Sequence, residues 1–250
     1  MRAITLLTDF GSADYFVGAM KGVILSINPH ATIVDITHEI PAQDVAAGAF
    51  TLLAAYEAFP AGTIHVAVVD PGVGSARRPI VVSAAGQFFV GPDNGIFSHI
   101  YDRCSSFEAF HITASEYFRQ PVSTTFHGRD IFAPVAAALS NDPDPSSFGP
   151  RISDPVRLST SREPQIIHID RFGNLITSIT RDVFKEGTTL VVNGRTISAL
   201  RNYFNENIGE AGEPFAIWGS AGFLEIAVNG RSAADILKVQ RGDGIVIETS

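Results

Sequence analysis

The chain has a single cysteine, Cys104, among its 250 residues, so it forms no internal disulfide and no multi-thiolate metal site. A reducing compartment is expected. Basic residues are also scarce: 18 Lys and Arg stand against 26 Asp and Glu, a formal net charge of −8, and no basic run is longer than Arg77-Arg78. Nucleic-acid binders need a positive stripe to hold phosphates, so nucleic acid is not an expected partner. Long apolar runs are missing too. The longest, Val45 to Phe59, is broken by Gly48, Thr51 and Glu57 and is too short to cross a bilayer. Near the start, Leu-Leu-Thr-Asp9 puts an acid where a secretory signal would continue its apolar region. A cytoplasmic protein with no membrane partner is expected. Several motifs are absent as well: no G-x-G-x-x-G follows the first apolar run, and no phosphate-binding loop, G-x-S-x-G or H-E-x-x-H occurs.

What is present is a globular composition, 45% hydrophobic and 18% charged, at a length that suggests two domains. Ala3 to Leu7 reads as a buried strand, Tyr15 to Ile27 as a helix ending at Asn28-Pro29, and Thr32 to Ile36 as a β-branched strand. Asp44 opens a second helix through Ala58, and Thr63 to Val69 is a further strand. Apolar strands alternating with helices predict a mostly parallel sheet covered by helices. Ile80 to Ala84 and Gln87 to Gly91 read as a hairpin around Ala85-Gly86, Phe107 to Ile112 as a strand, and Gly128 to Asn141 as a helix. Five prolines between Pro143 and Pro164 mark a linker. Short strands then follow: Gln165 to Asp170, Leu175 to Ile179, Thr188 to Val192, Pro214 to Trp218, Phe223 to Val228 and Gly244 to Glu248. The expected architecture is therefore an α/β domain over residues 1–142, a Pro/Ser-rich linker over 143–164 and a smaller all-β barrel over 165–250.

In a parallel α/β sheet, ligands bind beyond the carboxyl ends of the strands. Asp9 and Asp70 end the first and third strands and are expected at one rim, Asp70 followed by the tight Pro71-Gly72-Val73-Gly74 turn. The alternative reading makes both ordinary turn or capping residues. His127, within Phe126-His127-Gly128-Arg129-Asp130, precedes a helix; the alternative is a surface or satisfied core histidine. Asp170-Arg171-Phe172-Gly173-Asn174 combines a carboxylate, an aromatic face and an amide, which suit an amine and a base, or else form a plain hairpin turn.

Taken in order, Leu-Leu-Thr-Asp9-Phe-Gly, Lys21-Gly-Val-Ile, Ile-Val-Asp35-Ile-Thr-His38, Val-Val-Asp70-Pro-Gly-Val-Gly, Gly91-Pro-Asp-Asn94-Gly, Phe126-His127-Gly-Arg-Asp, Asp170-Arg-Phe-Gly-Asn174 and Gly219-Ser220-Ala-Gly-Phe-Leu-Glu225-Ile-Ala-Val-Asn229 resemble one family. It is the S-adenosylmethionine hydroxide adenosyltransferases, or adenosine-forming S-adenosylmethionine hydrolases, related to the fluorinase and chlorinase enzymes. The resemblance implies a homotrimer with active sites between subunits, and a reaction in which water attacks the ribose C5′ of S-adenosylmethionine and releases methionine. It implies no cofactor and no metal. Asp70, Arg77 and His127 match the family's water-polarising set, with Arg78 as the neighbouring alternative to Arg77. The matching substrate positions are Asp9 on the ribose hydroxyls with Asp14 nearby, Phe126 along the sugar, Asp170 toward the methionine amine, and Phe172 and Asn174 toward adenine. Ser220, Glu225 and Val228 surround the rest, Tyr203 is a stacking aromatic, and Asn94 is read as structural.

Three other readings compete. One is a non-catalytic binder of S-adenosylmethionine or adenosine. Another is a halide-using relative, against which a carboxylate at Asp70 would repel the nucleophile. The third is a metal-dependent hydrolase ligated by Asp9, Asp70 and His127, although no short-range ligand pair supports it.

Overall fold

The computed structural model describes residues 2–141, 144–159, 161, 163–185, 187–206 and 212–249. The chain divides into two compact units, Met1–Leu158 and Ser159–Ser250. Among the described residues no helix is long and apolar enough to cross a membrane.

The first unit is built on β1 (Ala3–Thr8), α1 (Phe16–Ile27), β2 (Thr32–Thr37), α2 (Val45–Tyr56), β3 (Ile64–Val68), β4 (Pro79–Ala84), β5 (Gln87–Pro92), α3 (Ser98–Arg103) and β6 (Phe107–His111). A 3₁₀ turn (Ser115–Tyr117), a π turn (Gly128–Phe132), α4 (Ala133–Leu139), a second 3₁₀ turn (Pro145–Phe148) and β7 (Arg151–Ile152) complete it. The strands form one seven-stranded sheet in the order β2-β1-β3-β5-β4-β6-β7. β1 runs parallel to β2 and β3, and β3 runs parallel to β5. The other half is antiparallel, because the Ala85-Gly86 turn, with both residues at positive φ, folds β5 straight back on β4, and β6 and β7 then add antiparallel. The sheet is thus mixed rather than mostly parallel. Both faces of its parallel half are covered: Ile4 and Leu6 pack with Met20 and Ile24 of α1 and with α4, while Leu7 lies under Gly48 of α2.

Local chemistry explains the main helix boundaries. Val17, Met20 and Ile24 bury one stripe of α1. Asp44 caps α2 by accepting from Ala47 N at 2.9 Å. The helix expected over 128–141 opens instead with a π turn, in which Ala133 N bonds to Gly128 O. Pro134 has no N–H for the Asp130 carbonyl, and Arg119 N takes that carbonyl at 2.9 Å. The proline-rich segment carries structure of its own: β7 pairs with β6, and Phe148 is fully buried in the core of the first unit.

The second unit holds β8 (Ile166–Ile169), β9 (Leu175–Thr180), β10 (Thr188–Val192), β11 (Arg195–Ile197), β12 (Leu200–Arg201), β13 (Phe215–Trp218), β14 (Phe223–Ala227), α5 (Ala233–Leu237) and β15 (Val246–Thr249). Its strands form a five-stranded sheet, β12-β13-β14-β9-β8, and a three-stranded sheet, β11-β10-β15. Ile166, Leu175, Leu190, Ile226 and Ile245 fill the core of this unit. Two corrections to the expected all-β barrel follow. Among the described residues the two sheets meet at the Gln165–Gly244 bridge but form no closed barrel, and α5 is a helix, capped by Ser232 Oγ accepting from Asp235 N.

Candidate active site

The carboxyl ends of β1 and β3 lie side by side, with Thr8 in register with Val68, so Asp9 and Asp70 leave the sheet at one rim. A cavity of about 150 Å³ sits there, lined by Phe10, Phe16, Val68, Asp70, Phe126 and His127 among others. Asp70 is tied to Arg77: Nε donates to Oδ1 at 2.9 Å and to Oδ2 at 3.1 Å, and Nη2 also donates to Oδ2. Both side chains are nearly closed to solvent, 5% exposed for Asp70 and 9% for Arg77. The same Nη2 lies 2.7 Å from His127 Nδ1, and the guanidinium stacks over the Phe132 ring.

The pairing fixes the state of the imidazole. A guanidinium only donates, so Nδ1 accepts and the proton of neutral His127 resides on Nε2. Burial, and then the Arg77 charge, hold His127 below the ordinary histidine range, with Asp70 and Asp130 pulling weakly the other way. Arg77 thus occupies the space between Asp70 and His127 that a shared metal ion would need. Among the described residues no group of three or more His, Cys, Asp or Glu is arranged to hold a metal.

Arg78 faces elsewhere, donating to Asp93 Oδ2 at 2.8 Å and to Asp154 Oδ1 at 2.8 Å. Asn94 Nδ2 bonds the Val69 carbonyl at 2.8 Å, bracing the backbone just before Asp70. Asp130, absent from the sequence-derived set, is fully buried, where it accepts from Arg129 and from Ser123 N and holds the loop that leads to His127. Its signal in the sequence was the acid in the first turn after His127.

Phe10, Phe16 and Phe126 form the aromatic wall of the cavity, with edge-to-face contacts between Phe126 and the other two. Asp9 stands beside this wall and accepts from Gln43 N at 2.8 Å. Asp14 is exposed in the loop before α1.

In the second unit, an open pocket of about 530 Å³ gathers Phe172, Asn174 and Val228 with Phe204, Arg231 and Ser232. Phe172 is 76% exposed and Asn174 is buried. Asp170 shapes the turn beneath: Oδ1 accepts from Phe172 N and Asn174 N, and Oδ2 from Asn174 Nδ2. Gly173, at φ +82°, is required because a Cβ there would lie 2.2 Å from Ser232 Oγ. Burial, then the Asp170 charge, push the Glu225 carboxyl upward. Tyr203 and Ser220 are exposed, and the neighbour of Tyr203, Phe204, lines the pocket. Sequence reasoning missed Phe204 and Arg231, which stand in no recognisable motif.

Fold and site together describe a two-domain protein, a mixed α/β unit followed by a β-rich one, with a carboxylate–guanidinium–imidazole cluster at the strand ends of the first. The chain belongs to the SAM hydroxide adenosyltransferase family, whose N-terminal domain matches residues 4–149 and whose C-terminal domain matches residues 164–246. It is 37% identical to an (R)-S-adenosyl-L-methionine hydrolase of Thermus thermophilus, across 97% of this chain and 98% of that protein. It is 38% identical to a protein of the same name from Methanocaldococcus jannaschii, across 98% and 95%. A conserved protein from Thermotoga maritima, solved by crystallography, superposes with a TM-score of 0.91 at 35% identity, covering 98% of this chain and 100% of that one. Fluorinases are more distant, the Nocardia brasiliensis protein being 24% identical.

Proposed function

We propose that the protein hydrolyses S-adenosyl-L-methionine, in the (R) configuration named for its curated relatives, to adenosine and L-methionine. The observation that carries this reading is the Asp70–Arg77–His127 cluster at the wall of the strand-end cavity. Sulfonium departs as a neutral thioether, so the reaction needs no general acid. It needs a water held in line with the C5′–S bond. With its proton on Nε2, His127 donates to the water oxygen, while the Asp70 carboxylate accepts from a water hydrogen and takes the proton as the C5′–O bond forms. That proton then passes to solvent, giving one per turnover. Arg77 supports both roles: its fork holds the Asp70 carboxylate in place, and it fixes the His127 tautomer.

The aromatic wall of Phe10, Phe16 and Phe126 suits a cationic sulfonium. Asp9 takes the ribose hydroxyls, with Asp14 nearby. From the second unit, Asp170 faces the methionine amine, and Glu225 stands against the rest of the substrate. Phe172 and Asn174 bind adenine, with Tyr203 stacking and Ser220 and Val228 closing the rest. We propose further that the chain works in the cytoplasm as a homotrimer whose sites combine the first unit of one subunit with the second unit of its neighbour, using no cofactor and no metal. The two half-sets of residues, one in each unit, support that arrangement.

The test is incubation of purified protein with separated (R) and (S) diastereomers, with and without chloride, followed by chromatography. Adenosine and methionine from the (R) form in both buffers are expected. Unchanged substrate with extractable bound adenosine would make the protein a binder, and a chlorinated nucleoside would make it a halogenating enzyme.

A further inference from the structure

Three residues in the motifs that carry the family likeness have no part in the chemistry above: Lys21, Asp35 and His38. The structure places them in one line that ends at the site. Lys21 Nζ, on α1, donates to Asp35 Oδ2 at 2.6 Å. His38 Nε2 lies 3.1 Å from Asp35 Oδ1, and His38 Nδ1 lies 2.9 Å from Thr8 Oγ1. Thr8 Oγ1 in turn accepts from Phe10 N at 3.3 Å. Exposure falls along the line, from 35% and 40% for the Lys21 and Asp35 side chains to 8% for His38 and 0% for Thr8.

Hydrogen polarity along this line is determined by its ends. The anion beside Nε2 favours the proton on that nitrogen, although the N–H points off the oxygen and the contact is electrostatic rather than a straight hydrogen bond. Nδ1 is then the acceptor for the Thr8 hydroxyl, and with its hydrogen committed the Thr8 oxygen is left to receive Phe10 N–H. A hydroxyl, an imidazole and a carboxylate in sequence have the composition of a nucleophilic triad, but Thr8 is fully buried and does not line the cavity, so this one is scaffolding. The backbone of the same histidine holds the other side of the corner: Gly11 N donates to His38 O at 2.8 Å, and Ile40 N to Thr8 O at 3.4 Å. Between these two clamps stand Asp9 and Phe10.

We infer that His38 is a positioning residue, which fixes the Thr8–Gly11 corner so that Asp9 meets the ribose and Phe10 the cavity, while Lys21 and Asp35 set its tautomer. The inference rests on the role given to Asp9 under the proposed function. A variant that raises KM with kcat unchanged has lost binding shared by the ground and transition states, which is what loosening a group on the ribose hydroxyls, away from the bond that breaks, removes.

The experiment compares Thr8→Val, His38→Ala, His38→Asn and the half-exposed Asp35→Asn, by steady-state kinetics with S-adenosylmethionine and by amide exchange over residues 8–16. Thr8→Val and His38→Ala should raise KM about tenfold with kcat within about threefold, and should speed exchange at residues 9–11. His38→Asn, whose amide oxygen replaces Nδ1 as acceptor, should recover most of the lost KM. Asp35→Asn should move KM in the same direction by less, and with Thr8→Val it decides the matter if His38→Ala does not fold. A lowered melting temperature with KM and exchange unchanged would make His38 a packing residue and overturn the inference, as would equal KM values for His38→Asn and His38→Ala. Wild-type protein that never turns over substrate would instead overturn the proposed function, and exchange would still judge whether His38 holds the corner.

Discussion

Arg77 and His127 are joined by a 2.7 Å contact from Nη2 to Nδ1, and it makes the guanidinium the common partner of the only two side chains in the cluster that can handle a proton. Arg77→Lys keeps the charge but loses the fork that reaches Asp70 and His127 together. It should lower kcat about a hundredfold, the scale of removing one preorganised donor. Arg78→Lys breaks the contacts to Asp93 and Asp154 and should lower the melting temperature with kcat nearly unchanged. Equal losses of kcat in the two variants would contradict the assignment of Arg77.

The pH dependence follows from the same contact. His127 has its folded value shifted down from 6.5, so it is neutral at pH 7. Protonation would put a hydrogen on Nδ1 against the Arg77 cation. Activity should therefore hold through neutral pH and fall only as acidity takes the medium below the ordinary histidine range. His127→Asn should lose most of its activity and, in what remains, this acid limb. An acid limb centred above 6.5 would rule out this state of His127.

A different histidine governs stability. His65 is fully buried between Thr5 and Gln87, at 2.8 and 3.1 Å, and stacked on Phe89. Burial lowers its value from 6.5 to about 4, with the Gln87 contact opposing. The unfolded chain thus binds a proton that the folded one refuses, so stability is fully present above pH 6.5 and declines as the pH falls to about 4. The loss from this one group should be on the order of 3 kcal/mol. Urea unfolding between pH 7 and 4 measures the slope, and an NMR titration of His65 near 6.5 would contradict the assignment.

Gly74 joins the turn after Asp70 to the loop before His127. At φ +77°, a Cβ there would lie 2.3 Å from the Thr124 carbonyl oxygen. Gly74→Ala should cost roughly 2–4 kcal/mol and lower activity, since the turn must shift. Gly86→Ala, at φ +72° with nothing within 4 Å, carries only the conformational cost of about 1–2 kcal/mol. Equal losses in urea denaturation would show that the close approach to Thr124 does not matter.

Much of this was legible in the sequence because it depends on local chemistry. The Asp44 cap, the Ala85-Gly86 hairpin and the two carboxylates at adjacent strand ends are each set by a few neighbouring residues. Whether Arg77 or Arg78 faces Asp70 was not legible. Adjacent residues entering β4 point to opposite sides, and only the positions of Asp93 and Asp154 decide which side is which. The π turn depends on Arg119, which competes for a carbonyl freed by Pro134 from a distant part of the chain. The mixed sheet depends on where β5 inserts, and the short strands and helix of the second unit on packing that no motif records. Proline-rich composition suggested a linker over residues whose Phe148 fills the core, because apolar periodicity is invisible in so short a segment.

In the proposed mechanism, water attacks C5′ of S-adenosylmethionine at the Asp70–Arg77–His127 cluster. Turnover in ¹⁸O-labelled water containing chloride, followed by mass spectrometry of the nucleoside and the methionine, traces the oxygen that attacks. Adenosine carrying one ¹⁸O at its 5′ oxygen, with unlabelled methionine, is the predicted result, and the label should disappear with activity in Asp70→Ala. Adenosine without label, or a 5′-chlorinated nucleoside, would contradict that mechanism.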